Sequence, residues 1–191
     1  LYNDVFSLVV GKKYDSETLG YYSKSQTIPY AINQIVTQVT SAVMFPEFSK
    51  VQDDKELIKV KTRTMISILS AVLFPIMAGI AASGNELISI LLTDKWLPCV
   101  PMMQIMCIYF ALSVINNSNM QSITGVGRSD LFMMFEIIKR SIGLLLVIIL
   151  SQINIYLMLW SIVFTAFLSL VMNGFANKKL FNYNFIEYMM D

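Results

Sequence analysis

The stretch 131-LFMMFEIIKRSIGLLLVIIL-150 decides the fold. It is twenty residues long and almost wholly apolar. As a helix rising 1.5 Å per residue, it has the length to cross a hydrocarbon layer about 30 Å thick. Glu136, Lys139 and Arg140 nevertheless lie inside it. An ionised side chain at the centre of a bilayer helix costs on the order of 2.5–3.5 kcal/mol. The stretch can therefore cross only if its charges are paired, displaced toward a headgroup layer or put to use.

The rest of the chain supports a membrane reading. Of 191 residues, 55% are hydrophobic and 14% charged, whereas soluble domains carry about 25% charged residues. Mean hydropathy is +0.60. Five apolar runs are long enough to cross a bilayer, and a sixth opens the chain. The class is all-α, a polytopic transmembrane helical bundle of about six spans. The expected spans are residues 1–10, 25–48, 64–83, 100–124, 131–150 and 155–176, with an amphipathic interfacial helix at 85–93 and Trp96 as a headgroup anchor. Pro75 predicts a kink in the third span. Residues 14–22 read as a short polar loop and 49–63 as a charged, solvated one. The chain opens inside an apolar run and stops after 182-NYNFIEYMMD-191, so it reads as an internal piece of a longer protein.

Several function classes fall away. The chain has no histidine, which removes a Ser-His-Asp triad, an H-E-x-x-H zinc site and the usual proton shuttles. Cys99 and Cys107 have neither metal-binding nor redox spacing and read as small packing residues. No catalytic residue, metal or cofactor is expected. A net charge of +1 without a basic stripe gives no indication of nucleic acid.

Lysine and arginine set the orientation. The loops at one end (Lys12, Lys13, Lys24, Lys95) carry four, and those at the other (Lys50, Lys55, Lys59, Lys61, Arg63, Arg128, Lys178, Lys179) carry eight. Short cytoplasmic loops hold the excess of positive charge. The second group should therefore face the cytoplasm, which puts Glu136, Lys139 and Arg140 in the cytoplasmic half of their span.

Two spans carry rows of uncharged polar residues. In 25–48, Asn33, Thr37 and Ser41 recur every four residues, with Gln34 and Gln38 beside them, opposite an apolar stripe that includes Ile35, Val39 and Val43. In 100–124 the polar residues are Gln104, Ser113, Asn116, Asn117, Asn119 and Gln121. Such rows either join helices to one another or line a water-filled cavity. The charges in 131–150 have structural readings too. Glu136 and Arg140 can pair one turn apart, Lys139 can snorkel to headgroups, or the span can shift toward Ser141–Trp160. The functional readings make Lys139 and Arg140 contacts for an anionic substrate, arginine suiting bidentate phosphate binding, or make the group a gating pair.

The segments 92-LTDKWLPCVPMMQIMCIYF-110 and 125-GVGRSDLFMMFEIIKR-140, together with LGYYSKSQTIPYAINQI (Leu19–Ile35) and FPEFSKVQDD (Phe45–Asp54), carry a family resemblance. The chain resembles the polysaccharide-biosynthesis flippases, the lipopolysaccharide-biosynthesis branch of the multidrug/oligosaccharidyl-lipid/polysaccharide exporter superfamily. That resemblance implies the C-terminal half of a two-bundle, multi-pass transporter in a bacterial inner membrane. It implies translocation of an undecaprenyl-diphosphate-linked oligosaccharide by alternating access, without covalent chemistry. The partners implied are that lipid-linked substrate, membrane lipids and other polysaccharide-assembly membrane proteins. Asn33, Thr37, Ser41, Asn117 and Gln121 become candidates for lining the cavity, and Lys139 and Arg140 for holding the diphosphate. A cation-coupled multidrug exporter of the same superfamily is the nearest alternative and would need a dominant acidic residue in its cavity. Asp4 is the one acidic residue in the first span. An integral-membrane O-antigen ligase or polymerase is a further alternative, disfavoured by the short non-cytoplasmic loops.

Overall fold

The computed structural model describes residues 2–51, 54–125 and 127–181. The segment 182–191 and the Asp4 side chain lie outside the described residues. The described chain is helical, with no strand. Its elements are α1 (Tyr2–Lys13), α2 (Ser16–Lys50), α3 (Lys55–Ala82), α4 (Gly84–Leu91), a 3-10 segment (Asp94–Cys99), α5 (Val100–Gly125), α6 (Ser129–Leu150) and α7 (Ile155–Phe181).

Two segments expected as loops are helix instead. Residues 16–22 belong to α2, which starts where the Asp15 carboxylate accepts the Thr18 backbone N–H at 2.9 Å. This N-cap satisfies one of the four donors that a helix start leaves open. The Thr18 hydrogen bonds in turn hold the Asp15 carboxyl below its ordinary carboxylate range. In the charged stretch 49–63, only a short link around Val51 and Asp54 interrupts the helices. Asp54 caps α3 by accepting from Leu57 N–H at 3.0 Å. Glu47 then accepts from Lys50 and Lys61, each at 2.8 Å, so the charges tie the end of α2 to the start of α3. Polarity here marks helix ends, not loop. α3 runs through Pro75 as one helix.

Among the described residues, three helices are long and apolar enough to cross a membrane: Lys55–Ala82, Asp94–Thr124 and Ile155–Lys178. α6 has the length, 22 residues or about 33 Å, and carries its three charges within it. Over half of the apolar window is buried in the second and third of these (56% each) but only 22% in the first. The chain therefore packs around α5 and α7, and α3 turns most of its surface outward. α5 lies against α2, α3 and α7, while α6 lies mainly against α7. Outward side chains such as Ile35, Val39, Val43, Ile68, Ile137, Leu145 and Phe164 are exposed, as a hydrocarbon surround requires.

The helix ends sort into two groups. At one, the Tyr14 hydroxyl donates to the Ser151 carbonyl at 2.9 Å, and Tyr21 meets Trp96 edge-on at 5.9 Å with Lys24 over the same indole. At the other, Phe48, Ile58, Ile123 and Ala176 form a core with Leu131 and Leu180 against it. The loops that sequence assigns to one side thus share one end of the bundle.

The turn into α4 leaves no room for a side chain. A Cβ on Gly84 would stand 2.9 Å from Val100 Cγ1 and 3.0 Å from Met103 Cε. The methionine tip can yield, but a valine branch next to the backbone cannot easily do so. Gly84→Ala should lower stability by about 1–3 kcal/mol, measured as a lower Tm of the detergent-solubilised protein. An unchanged Tm would show that α4 is free to move off α5.

Candidate functional site: polar seams around α5 and the charged group on α6

α5 presents polar side chains on two faces, and each face meets a different helix. Toward α2, the Ser113 hydroxyl donates to Asn33 Oδ1 at 3.0 Å, Asn117 Nδ2 to Thr37 Oγ1 at 3.4 Å and Gln121 Nε2 to Ser41 Oγ at 2.6 Å. All three pairs keep the same separation of 80 residues. Both members of each pair advance together, so α2 and α5 run parallel and in register over two turns. The rows read from sequence as Asn33, Thr37, Ser41 and as Asn117, Gln121 are therefore two halves of one ladder. Thr37, Ser41, Asn117 and Gln121 line the crevice that remains between them, which has room for about one water molecule.

Toward α7, Asn173 Nδ2 donates to Asn116 Oδ1 at 3.0 Å and Asn177 Nδ2 to Asn119 Oδ1 at 2.5 Å. Asn119, Asn173 and Asn177 are wholly buried and Asn116 nearly so. The α7 partners end a run that sequence reading passed over as a plain apolar span. Ser161, Thr165, Ser169, Asn173 and Asn177 recur every four residues, and all five are buried. The signal was present in the spacing. Serine and threonine lower hydropathy so little that the stripe hides inside an apolar window.

The charged group of α6 is paired within the helix. Glu136 accepts from Arg140 Nε at 2.9 Å and, through its other oxygen, from Lys139 Nζ. Side-chain exposure rises from 18% for Glu136 through 29% for Lys139 to 52% for Arg140. Glu136 and Arg140 lie one turn apart on the stripe that continues through Gly143 and Val147, the buried residues of α6. The carboxylate is therefore turned toward the bundle, and Tyr109 of α5 lies within electrostatic range of Glu136 and Arg140. Lys139 folds back on Glu136 instead of reaching away along the helix. Two cations thus share one carboxylate. Among the described residues, no three His, Cys, Asp or Glu side chains gather as a metal-ligating group.

These features describe an all-helical membrane bundle held together by uncharged polar seams, with an internally paired cationic group on its flank. The profile of the polysaccharide biosynthesis protein family matches residues 1–101, just over half of the chain, and the chain belongs to that family. It is similar to the lipopolysaccharide biosynthesis protein WzxC of Escherichia coli (strain K12), 24% identical over 143 residues, which cover 73% of this chain and 28% of that protein. It is also similar to the teichuronic acid biosynthesis protein TuaB of Bacillus subtilis (strain 168), 31% identical over 128 residues, 65% of this chain and 26% of that protein. A third relative is an uncharacterized membrane protein in the cps region of Klebsiella pneumoniae, 25% identical over 121 residues, 63% of this chain and 25% of that protein. The chain thus spans about a quarter of the length of these curated relatives. No solved structure matches it.

The shared carboxylate makes a sharp prediction. Glu136→Gln removes the carboxylate that the two cations share and should cost about 1.5–3 kcal/mol, the usual range for a lost hydrogen bond to a charged group. Adding Lys139→Gln should restore part of that loss. Protein level in membranes and Tm of the two variants measure the coupling, and strictly additive losses would show that the three side chains act independently.

Proposed function

We propose that the full-length protein moves an undecaprenyl-diphosphate-linked oligosaccharide from the inner to the outer leaflet of a bacterial inner membrane. Residues 1–191 would supply most of its C-terminal bundle. The mechanism is alternating access: two bundles rock about a central site, and no covalent bond is made or broken. The observation that carries this reading is the charged group on α6, two cations held by one carboxylate on the flank of the bundle in a family of polysaccharide biosynthesis proteins. Membership in that family and the names of the relatives support a saccharide pathway, whose membrane intermediates are lipid-linked.

In this reading Lys139 and Arg140 hold the diphosphate. Arginine offers a planar fork to phosphate oxygens and lysine a compact charge. Glu136 keeps both cations oriented while the site is empty. The excess of lysine and arginine at the Lys50–Lys61 and Arg128 end puts that end in the cytoplasm, where the substrate is loaded. Asn33, Thr37, Ser41, Asn117 and Gln121 would meet sugar hydroxyls as α2 parts from α5, each exchanging one hydrogen bond for another. Other polysaccharide-assembly membrane proteins would be the neighbours that receive the product.

The test uses cells lacking the native transporter. Lys139→Gln with Arg140→Gln should reduce surface glycan display at least tenfold, with lipid-linked precursor accumulating on the cytoplasmic side and the variant present at normal level. Unchanged display at normal protein level would overturn the assignment of the diphosphate to these two residues.

A further inference from the structure

α2 presents two kinds of exposed surface. Ile35, Val39 and Val43 make one, and all three stand more than half exposed. Beside them, Ser23, Thr27, Tyr30, Gln34 and Gln38 make the other, with Gln34 half-buried and the rest exposed. At about 100° per residue these five fall within an arc of about 80°, next to the ladder that joins α2 to α5. From Ser23 to Gln38 the arc rises about 22 Å, most of the roughly 30 Å depth of the hydrocarbon layer. Among the described residues, no hydrogen bond from another helix reaches any of the five side chains. Thr27 Oγ1 donates to the Ser23 carbonyl at 3.2 Å and Gln34 Nε2 to the Tyr30 hydroxyl at 2.6 Å, both within α2. The buried Phe110 of α5 supports Tyr30 from the side, ring centres 5.9 Å apart, and Tyr30 remains 41% exposed.

Amides and hydroxyls cannot face lipid over so long a rise, so this arc faces protein or water. A permanent protein seam is the poorer account. The seams of this bundle pair polar side chains across helices, and the arc does not. Under the transport reading, on which this inference rests, the bundle opposite must also move away from it. We infer that this face of α2 is a track for the saccharide part of the translocated lipid. Sugar hydroxyls both donate and accept, as do the hydroxyls and amides of Ser23, Thr27, Gln34 and Gln38. The Tyr30 ring offers an apolar face with a polar tip, a form that suits the C–H side of a sugar ring. The five side chains carry no charge, so the diphosphate gains no hold on them. Similar weak contacts at successive levels let a ligand enter and leave without being trapped at one of them. The ladder residues are engaged with α5, whereas this face is open as α2 stands.

The test uses the full-length protein in cells lacking the native transporter. Thr27→Cys, Gln34→Cys and Gln38→Cys on the track are compared with Ile35→Cys and Val39→Cys on the apolar face. Membranes from these cells are treated with a charged, water-soluble thiol reagent, and wild type gives the background from native thiols. The track cysteines should label severalfold above that background and the two on the apolar face should not. Labelling should fall by about half or more in a host that makes the lipid-linked saccharide, relative to one that cannot add its first sugar. Track cysteines that label no better than Ile35→Cys would overturn the track, and so would labelling that is indifferent to the saccharide. As a second measurement, Gln34→Leu with Gln38→Leu should reduce surface glycan severalfold at unchanged Tm and membrane level, and full display would again overturn it. Wild type that fails to restore display would sink the transport reading and the track with it. Failure of the track while wild type restores display leaves the transport reading standing.

Discussion

Everything in this bundle follows from how α5 disposes of its polar side chains. A helix that crosses hydrocarbon cannot leave amides and hydroxyls facing lipid, and water is not available to satisfy them. Ser113, Asn117 and Gln121 resolve this against α2, and Asn116 and Asn119 against α7. Helix association in lipid lacks the drive that apolar burial supplies in water, and each interhelical hydrogen bond contributes only about 0.6 kcal/mol. The seams therefore matter more for choice than for strength. They select α2 and α7 as neighbours of α5, make both run parallel to it and fix the register. A slide of one residue would turn each side chain about 100° away from its partner.

The charges of α6 obey the same constraint by a different route. Three ionised groups in a span of 22 residues would be prohibitive if each stood alone. Sharing one carboxylate between two cations lowers that burden, and the half-exposed Arg140 is the more accessible of the two. The arrangement also explains why α6 sits on the flank of α7, away from the centre beside α5. A net charge is tolerated where its guanidinium can still meet a polar medium, and it would not be tolerated among Met106, Ile123 and Leu159. A cationic group placed at the edge of the packed bundle is accessible to an anionic ligand in a way that the buried asparagines are not.

Sequence reveals the spans because hydropathy integrates over twenty residues, and it reveals the ends poorly because polarity has two meanings there. Asp15 and Asp54 are polar as helix caps, yet residues 14–22 and 49–63 read as loop. Asn33, Thr37 and Ser41 were legible as a row, since their spacing is helical. What they face was not legible, because a single row is equally suited to water and to a second row, and only the fold brings residues 80 positions apart together. The α7 stripe is the opposite case. Its four-residue spacing stands in the sequence from Ser161 to Asn177, but small hydroxyls disappear in a hydropathy average.

The shared spacing of the α2–α5 rows has a consequence for motion. Both rows repeat every four residues, so a slide of one helical turn, about 5.4 Å, would set Thr37 against Ser113 and Ser41 against Asn117. Such a slide exchanges the polar partners without leaving the middle of the seam unpaired, and one-turn displacements of packed helices are an established form of two-state switching. A seam of leucines would have to unpack its interlocked side chains to make the same step. The α5–α7 seam is more deeply buried. Its two pairs differ in separation, 57 and 58 residues, and its asparagines are wholly or almost wholly buried. One face of α5 thus carries a part-buried ladder against α2 and the other a deeply buried seam against α7, the helix on which α6 rests.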